Sequence, residues 1–351
     1  VTTPEPDRTT GPRPTFQFSS RRLVVSLAIS FGLAAIGVFL GVMSREGWHA
    51  FRIAPPENPR PLVYAFGLAL VDLWLGGLRI WILAHRLAPS VRIRDGLRAD
   101  LANKCLAGIT PWQTGGGAAQ LYVLARAGLP ASGGVALGTI NFFVSTVAVV
   151  ILGLVSVAFA GSSLPSWLLT STQVTIGILG GLLLLIVVLV LRNRNARPEL
   201  ERLGPDVRFL RRAWNRTRIF VRSSMDLVHE LLREHRGAVA ALVPVTWAIF
   251  LTKFAYTYFA FRAFHPQGEW TEVIAVLLIF VLALFFAPTP GASGVAEASG
   301  TAFLAHSMGA APSVGFVLAW RWITAYLPVI AGGVVLLHQI RRDSASAAPK
   351  R

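Results

Sequence analysis

Long apolar stretches make up most of this chain, and polar positions interrupt them at only a few places. One apolar run, Leu23 to Met43, follows Arg21-Arg22. Others cover about residues 61–84, 133–160, 173–191, 238–264 and 314–337. Each approaches or exceeds the ~20 residues that a helix needs to cross a bilayer. Two further apolar segments, 99–127 and 272–309, are broken in the middle. The first breaks at Thr110-Pro111-Trp112-Gln113-Thr114-Gly115-Gly116-Gly117 and the second at Ala287-Pro288-Thr289-Pro290-Gly291-Ala292-Ser293-Gly294-Val295-Ala296-Glu297. Proline removes a backbone donor and stops a helix, and glycine permits the turn that follows. The halves are too short to span alone. The pattern therefore predicts an all-α, polytopic membrane protein with about six full spans and two broken, re-entrant helical hairpins.

Composition supports that class. Of 351 residues, 54% are hydrophobic and 14% charged, against roughly 25% charged in soluble proteins. The net charge of +16 does not imply a nucleic-acid partner, because the arginines flank the apolar runs as the positive-inside rule expects. Arg86, Arg92, Arg94 and Arg98 mark one cytoplasmic loop, and the basic stretch 192–237 marks another. Counting spans from there puts both termini in the cytoplasm of a plasma membrane. Residues 1–20 form a disordered tail, 21–191 a first membrane half, 192–237 a basic linker, 238–338 a second membrane half, and 339–351 a tail. Residues 161–172 carry no charge and are assigned to an external loop. Within the linker, Leu210, Trp214, Val221, Met225, Val228 and Leu232 recur at helical spacing and predict an amphipathic helix.

The single cysteine, Cys105, excludes a disulfide or cysteine metal site within the chain. Zinc-hydrolase and ATP-binding motifs are missing. No cofactor, no metal and no enzymatic activity are expected. Asp72 and Arg79 are seven residues apart on one face of the second span, where they can pair locally or face a substrate. Lys104, Lys253 and Arg321 are cations within or beside apolar segments, where an unpaired charge costs about 2.5–3.5 kcal/mol. Lys253 can also snorkel toward the external end of its span.

The two breaks resemble each other. In each, Thr-Pro precedes a glycine turn, and Gln120 or Glu297 follows a glycine by three residues. Each break lies between two full spans, and span parity gives the two units opposite orientations. Such inverted repeats place interrupted helices around a transport site near the midplane. Half-helix N-termini there attract anions. The candidate substrate-binding residues are Thr110, Pro111, Gly115, Gly116 and Gln120 from the first break, and Thr289, Pro290, Gly291, Gly294 and Glu297 from the second. Lys253 and Arg321 complete the set. Glu297 has two readings: it can cap its own helix and pair with Arg321, or it can touch substrate or a coupling proton. Gln120 can cap in the same way.

At these residues the chain resembles the lysylphosphatidylglycerol synthase transmembrane-region family of flippase-like membrane proteins. The matching stretches are Asn103 to Gly128, with Thr110-Pro111, Gly115-Gly116 and Gln120-Leu121-Tyr122, and Pro288 to Gly332, with Pro288-Thr289-Pro290-Gly291, Gly294, Glu297, Arg321 and Tyr326-Leu327-Pro328. Two departures are Gly138-Thr139-Ile140-Asn141-Phe142-Phe143, where the family often has a charged, arginine-containing patch, and Ala292-Ser293, where it often has Gly-Leu. The resemblance implies a stand-alone member without an aminoacyl-transferase domain. In fused members this region is associated with moving aminoacylated phospholipid between leaflets. The expected function is therefore lipid translocation of an anionic phospholipid or lipid-linked envelope precursor. Half-helix ends with Lys253 or Arg321 would hold the phosphate. Membrane lipids, and secondarily envelope-biosynthesis proteins, are the expected partners. The alternatives are a non-transporting scaffold of an envelope-lipid or glycan pathway, and a membrane transferase, for which no convergent acid, base or metal cluster is found.

Overall fold

In a computed structural model of the protein, residues 53–160, 164–192 and 208–347 are described, with residue 162 and a few positions between 25 and 39. Most of the first predicted span, Leu23 to Met43, the tail 1–20, linker residues 193–207 and the last four residues of the predicted tail 339–351 lie outside the described residues, and the rest of that tail is helical as far as Ala347. The described elements are helical throughout: α1 (Arg60–Leu87), α2 (Ile93–Ile109), α3 (Gly115–Arg126), α4 (Ala131–Ala160), α5 (Ser166–Arg192), α6 (Arg208–Glu234), α7 (Arg236–Phe264), α8 (Trp270–Phe286), α9 (Val295–Met308), α10 (Ala310–Arg321) and α11 (Leu327–Ala347). Five stretches are long and apolar enough to cross a membrane: Arg60–Leu87, Ala131–Phe159, Ser166–Leu185, Arg236–Phe264 and Ala310–Asp343.

Interhelical hydrogen bonds fix which ends lie together. The Ser90 hydroxyl donates to the Ala127 carbonyl, and Asp343 is clamped by Tyr122 and Arg126. These contacts gather the ends of α1, α3 and α11 on the basic side. On the opposite side, Asn58 N–H donates to the Ala263 carbonyl and Ala54 N–H to that of Ala311. This places the start of α1, the end of α7 and the start of α10 there. Helices α2 and α3 thus form a hairpin that opens on the basic side. Helices α8 and α9 form one that opens on the other.

Each hairpin turns through a single 3-10 turn, Pro111–Gln113 in one and Pro290–Ala292 in the other. The backbones match from the threonine through the second residue after the proline, and diverge at the next, where Thr114 is helical and Ser293 extended. Thr110 and Thr289 are extended, with φ/ψ of −114°/144° and −81°/151°. The pairs that follow the prolines are left-handed, with φ of 47° and 59° at Trp112 and Gln113, and of 56° at both Gly291 and Ala292. Trp112, Gln113 and Ala292 are the described non-glycine residues with positive φ, a conformation that costs roughly 1–3 kcal/mol at each. The two turns touch. A Cβ added at Gly291 would lie 2.8 Å from the Gly108 carbonyl oxygen, so glycine is required there for space, where its counterpart Trp112 holds the same sign of φ with a side chain. The first spans of the two units, α1 and α7, pack along each other.

Three details differ from the sequence reading. Helix α5 starts at Ser166, seven residues before the predicted 173, and shortens the external loop. Thr170 and Thr175 donate their hydroxyls to the carbonyls of Ser166 and Ser171, so this polar stretch stays helical. The chain turns at Gly309, with φ of 83°, and 310–312 already belong to α10. The last span also contains a π-helical turn at Trp322–Tyr326. Pro328 would clash with the carbonyl four residues back, and the wider turn takes up that strain.

The amphipathic helix of the linker is present as α6. Its inward stripe is Ser224, Val228 and Leu231, with Met225 partly buried, and it packs against α4 and α7. Val221 and Leu232, predicted to face inward, are 41% and 45% exposed.

Candidate functional site

The second break is closed by its own residues. Glu297 is fully buried and Arg321 is 4% exposed. One Glu297 oxygen accepts the Gly294 N–H at 2.7 Å, which caps α9. The other accepts from Arg321 Nε at 2.6 Å and from the Tyr326 hydroxyl at 3.2 Å. Arg321 also donates to the Gly291 carbonyl at 3.1 Å and lies 3.4 Å from Ser293 Oγ. The guanidinium therefore holds the 3-10 turn, the cap and α10 together. A buried pair with this many hydrogen bonds is costly to break from one side, by about 3–5 kcal/mol. The capping and ion-pairing roles foreseen for Glu297 coexist in one carboxylate.

The first break is built differently. The Thr110 hydroxyl donates to the Leu106 carbonyl at 2.6 Å and accepts the Gly115 N–H at 2.9 Å. It bridges the last turn of α2 and the first of α3. Its counterpart, Thr289, has an enclosed hydroxyl with no partner among the described residues. Gln120 does not cap α3, contrary to the sequence reading. It accepts a hydrogen bond from Asn103 Nδ2 at 2.9 Å. The reason is close packing: a Cβ at Gly116 would lie 2.8 Å from Asn103 Oδ1, and this contact brings the two amides together across the hairpin.

A charged network runs beside this hairpin. Asp72 does not pair with Arg79, since seven residues along a helix separate two groups by about 10 Å. Lys253 from α7 reaches Asp72 instead, at 3.0 Å, and Lys104 from α2 reaches it at 3.4 Å. Lys104 also pairs with Asp100 at 2.8 Å. Lys253 is thus held at a carboxylate and does not snorkel away. Arg79 donates to Ser145 Oγ at 2.8 Å and has no carboxylate within ion-pair distance among the described residues. Its Nε is enclosed and unpartnered. The cluster holds three cations (Arg79, Lys104, Lys253) against two buried carboxylates (Asp72, Asp100), one positive charge in excess.

That excess charge borders a cavity of about 450 Å³ between α1, α2, α3 and α4. Arg79 and Ile80 line it from α1, Asp100 and Asn103 from α2, and Gly117, Gln120 and Leu121 from α3. Helix α4 contributes Gly134, Val135, Gly138, Asn141, Phe142 and Ser145. Its polar and small positions, 134, 138, 141 and 145, recur at spacings of four, three and four, one face of a helix. A Cβ at Gly117 or Gly138 would meet nothing within 4 Å, so both glycines leave the space open. Asn141 is 8% exposed, and its Oδ1 has no partner among the described residues. An enclosed acceptor left without a donor costs about 1–3 kcal/mol.

Of the candidate substrate-binding residues, Gln120 alone lines this cavity, and Arg79, noted from sequence beside Asp72, lines it too. Lys253 does not line it and is linked to its wall through Asp72, Lys104 and Asp100. Thr110, Pro111, Gly115 and Gly116 form the turn beside it. Thr289, Pro290, Gly291, Gly294, Glu297 and Arg321 form the sealed break. Sequence reasoning read Asp72 and Arg79 together, as a local pair or as a pair facing a substrate, and gave Asn141 no role of its own. The four-three-four spacing of polar and small residues along α4 was the available signal. Among the described residues, no group of three or more His, Cys, Asp or Glu side chains is placed to hold a metal ion.

Opposed broken hairpins beside long apolar spans define a multi-pass α-helical membrane protein. Within that class the chain belongs to the family described as the lysylphosphatidylglycerol synthase TM region, whose model matches residues 23–332. None of the curated proteins matches it.

Proposed function

We propose that this protein is a non-enzymatic, lipid translocase-like membrane protein. It takes the anionic head group of a phospholipid or lipid-linked envelope precursor into the cavity at Arg79 and leaves the acyl chains in the bilayer. The observation that carries this reading is the excess positive charge at the cavity wall. Lys253 and Arg321 are each matched by a buried carboxylate at ion-pair distance, whereas among the described residues Arg79 has none at that distance and donates to the neutral Ser145 hydroxyl. Arg79 lies eight residues before the end of α1, about 12 Å from it, a depth at which an unmatched charge is expensive. A phosphate in the cavity would supply the missing counter-charge through a charge-assisted hydrogen bond. The open wall at Gly117 and Gly138, beside the 43% exposed Phe142, suits passage of a head group with its tails outside. We further propose a plasma-membrane location with the basic side and both termini in the cytoplasm, as arginine bias favours.

The test is leaflet exchange in proteoliposomes with head-group-labelled lipids. Exchange faster than in empty liposomes, and slowed by Arg79→Gln, is the expected result. Exchange at the empty-liposome rate across a broad lipid panel would sink the proposal.

One observation favours a second reading, a scaffold in an envelope-lipid or glycan pathway. Ile219, Phe220 and Val221 are exposed on α6 among arginines. If that surface is the working part, neutralising Arg208, Arg211 and Arg212 abolishes function in cells while Arg79→Gln is silent.

A further inference from the structure

We infer that the first half of α6, residues 208–222, lies on the basic-side surface of the bilayer and takes anionic lipid as its partner. The second half of the helix is a packed part of the protein. The inference stands apart from the cavity and from what passes through it.

The packed half sits at the membrane boundary. Val228 and Leu231 are buried and share one apolar core with Ala136 and Leu137 of α4 and with Ala238 and Leu242 of α7. Those four partners belong to the first two turns of their helices. Both helices start on the basic side: α4 begins four residues after Ala127, and α7 ends on the opposite side at Ala263. His235, with φ of −117° and ψ of 37°, breaks the axis between α6 and α7, so α6 is not a continuation of the α7 span.

Two independent properties change at the same place along α6. One is burial. Ser224 is 1% exposed, whereas Phe220 and Val221, one turn earlier on the same stripe, are 40% and 41% exposed. Sequence spacing carries that stripe back through Thr217, Trp214, Ala213 and Leu210. The other property is charge. Residues 223–234 hold three acids and one arginine, while 208–222 hold six arginines and no acid. By spacing, Arg208, Arg211, Arg212, Arg216, Arg218 and Arg222 fall on the flanks and far side of the stripe. The protein thus stops covering α6 where the helix turns wholly positive.

An arm of 15 residues, about 22 Å long, has three places to go. The hydrocarbon is closed to it, because six arginines would be stranded there. Water would leave Phe220, Val221 and the rest of the stripe bare. The interface suits both faces: the stripe enters the head-group boundary, and the arginines reach lipid phosphates beside it. Charge then selects the lipid. An anionic leaflet complements an arm carrying +6, and a zwitterionic one does not.

The experiment uses the full chain in nanodiscs of mixed phosphatidylglycerol and phosphatidylcholine. Phe220 is replaced by the photocrosslinking residue p-benzoylphenylalanine, and the mass of the adduct identifies what lay against it. Val221 takes the same replacement where the first variant does not fold. Asp226, exposed on the far side of the helix, is the control. Position 220 should capture lipid, with phosphatidylglycerol enriched about fivefold or more over its share of the mixture, the worth of one arginine at an anionic surface. Position 226 should capture little. Raised salt should bring capture toward the mixture ratio. Arg211→Gln, Arg216→Gln and Arg218→Gln together should do the same and leave thermal stability unchanged, since these residues precede the packed half. Capture in the mixture ratio by the parent, equal lipid capture at 226, an adduct with a second copy of the chain, or no adduct at 220 and 221 overturns the inference.

Discussion

The two breaks share a backbone and differ in what holds it. Both run extended Thr, Pro, then two left-handed residues, and they meet from opposite sides. In the second, a guanidinium and a carboxylate fill the turn, and the Thr289 hydroxyl is enclosed without a partner among the described residues. In the first, a threonine hydroxyl makes the stitch, and no charge enters the turn itself. Its charges sit further along α2 and beside the cavity. One repeat unit has spent its ion pair on architecture. The other has an arginine with no carboxylate at ion-pair distance among the described residues. Similar turns thus coexist with different charge placement, and on the proposed function that placement decides which half binds.

That contrast is most directly broken by removing one charge from each side. Arg321→Ala or Glu297→Ala should cost about 3–5 kcal/mol, measured as resistance to unfolding in mixed detergent. Arg79→Gln should leave a monodisperse protein of near-unchanged stability, so equal losses from the two arginines would end the distinction. Anion binding should respond in the opposite sense. Arg79→Gln is expected to weaken short-chain phosphatidylglycerol binding by about 10- to 100-fold, the worth of a charge-assisted hydrogen bond. Gly138→Leu and Gly117→Leu extend side chains into open space. Each should block binding while changing stability by less than about 1 kcal/mol, as substitutions without a steric mechanism do. The smallest effects test the shared backbone. Gly291→Ala should destabilise by about 1–3 kcal/mol, from positive φ and the approach to Gly108. Gln113→Gly should stabilise by roughly 0.5–1 kcal/mol, by relieving a left-handed non-glycine residue. A Gln113→Gly variant less stable than the parent would show that its side chain, and not its backbone, matters at the turn.

Much of the fold was legible because its signals are local. Apolar length marks spans, and Thr-Pro with glycine marks a break wherever it falls. Glu297 was legible for the same reason, as a cap three residues after Gly294 with a basic residue on the next helix. The cavity was not. Arg79 shares a helix with Asp72, and the sequence offers no means of knowing that Lys253, from 181 residues away, takes that carboxylate first. Asn141 is a single polar residue in an apolar run, and its meaning depends on α1 and α3 standing opposite. The linker stripe missed its register for a similar reason: α6 packs on two helices, so its buried face includes Ser224, which hydrophobicity alone passes over.

The seam between α2 and α11 has a practical consequence. At Gly332 the helices approach so closely that a Cβ would run into the Leu101 carbonyl oxygen and lie 2.7 Å from Cys105 Cβ. The one native thiol of the chain is sealed in that seam. Cysteines introduced at Gly117, Gly138 or Asn141 can therefore be tagged with membrane-impermeant reagents against a silent background. The wild-type chain is already its own cysteine-less parent, and the side from which the cavity opens can be mapped without altering anything else.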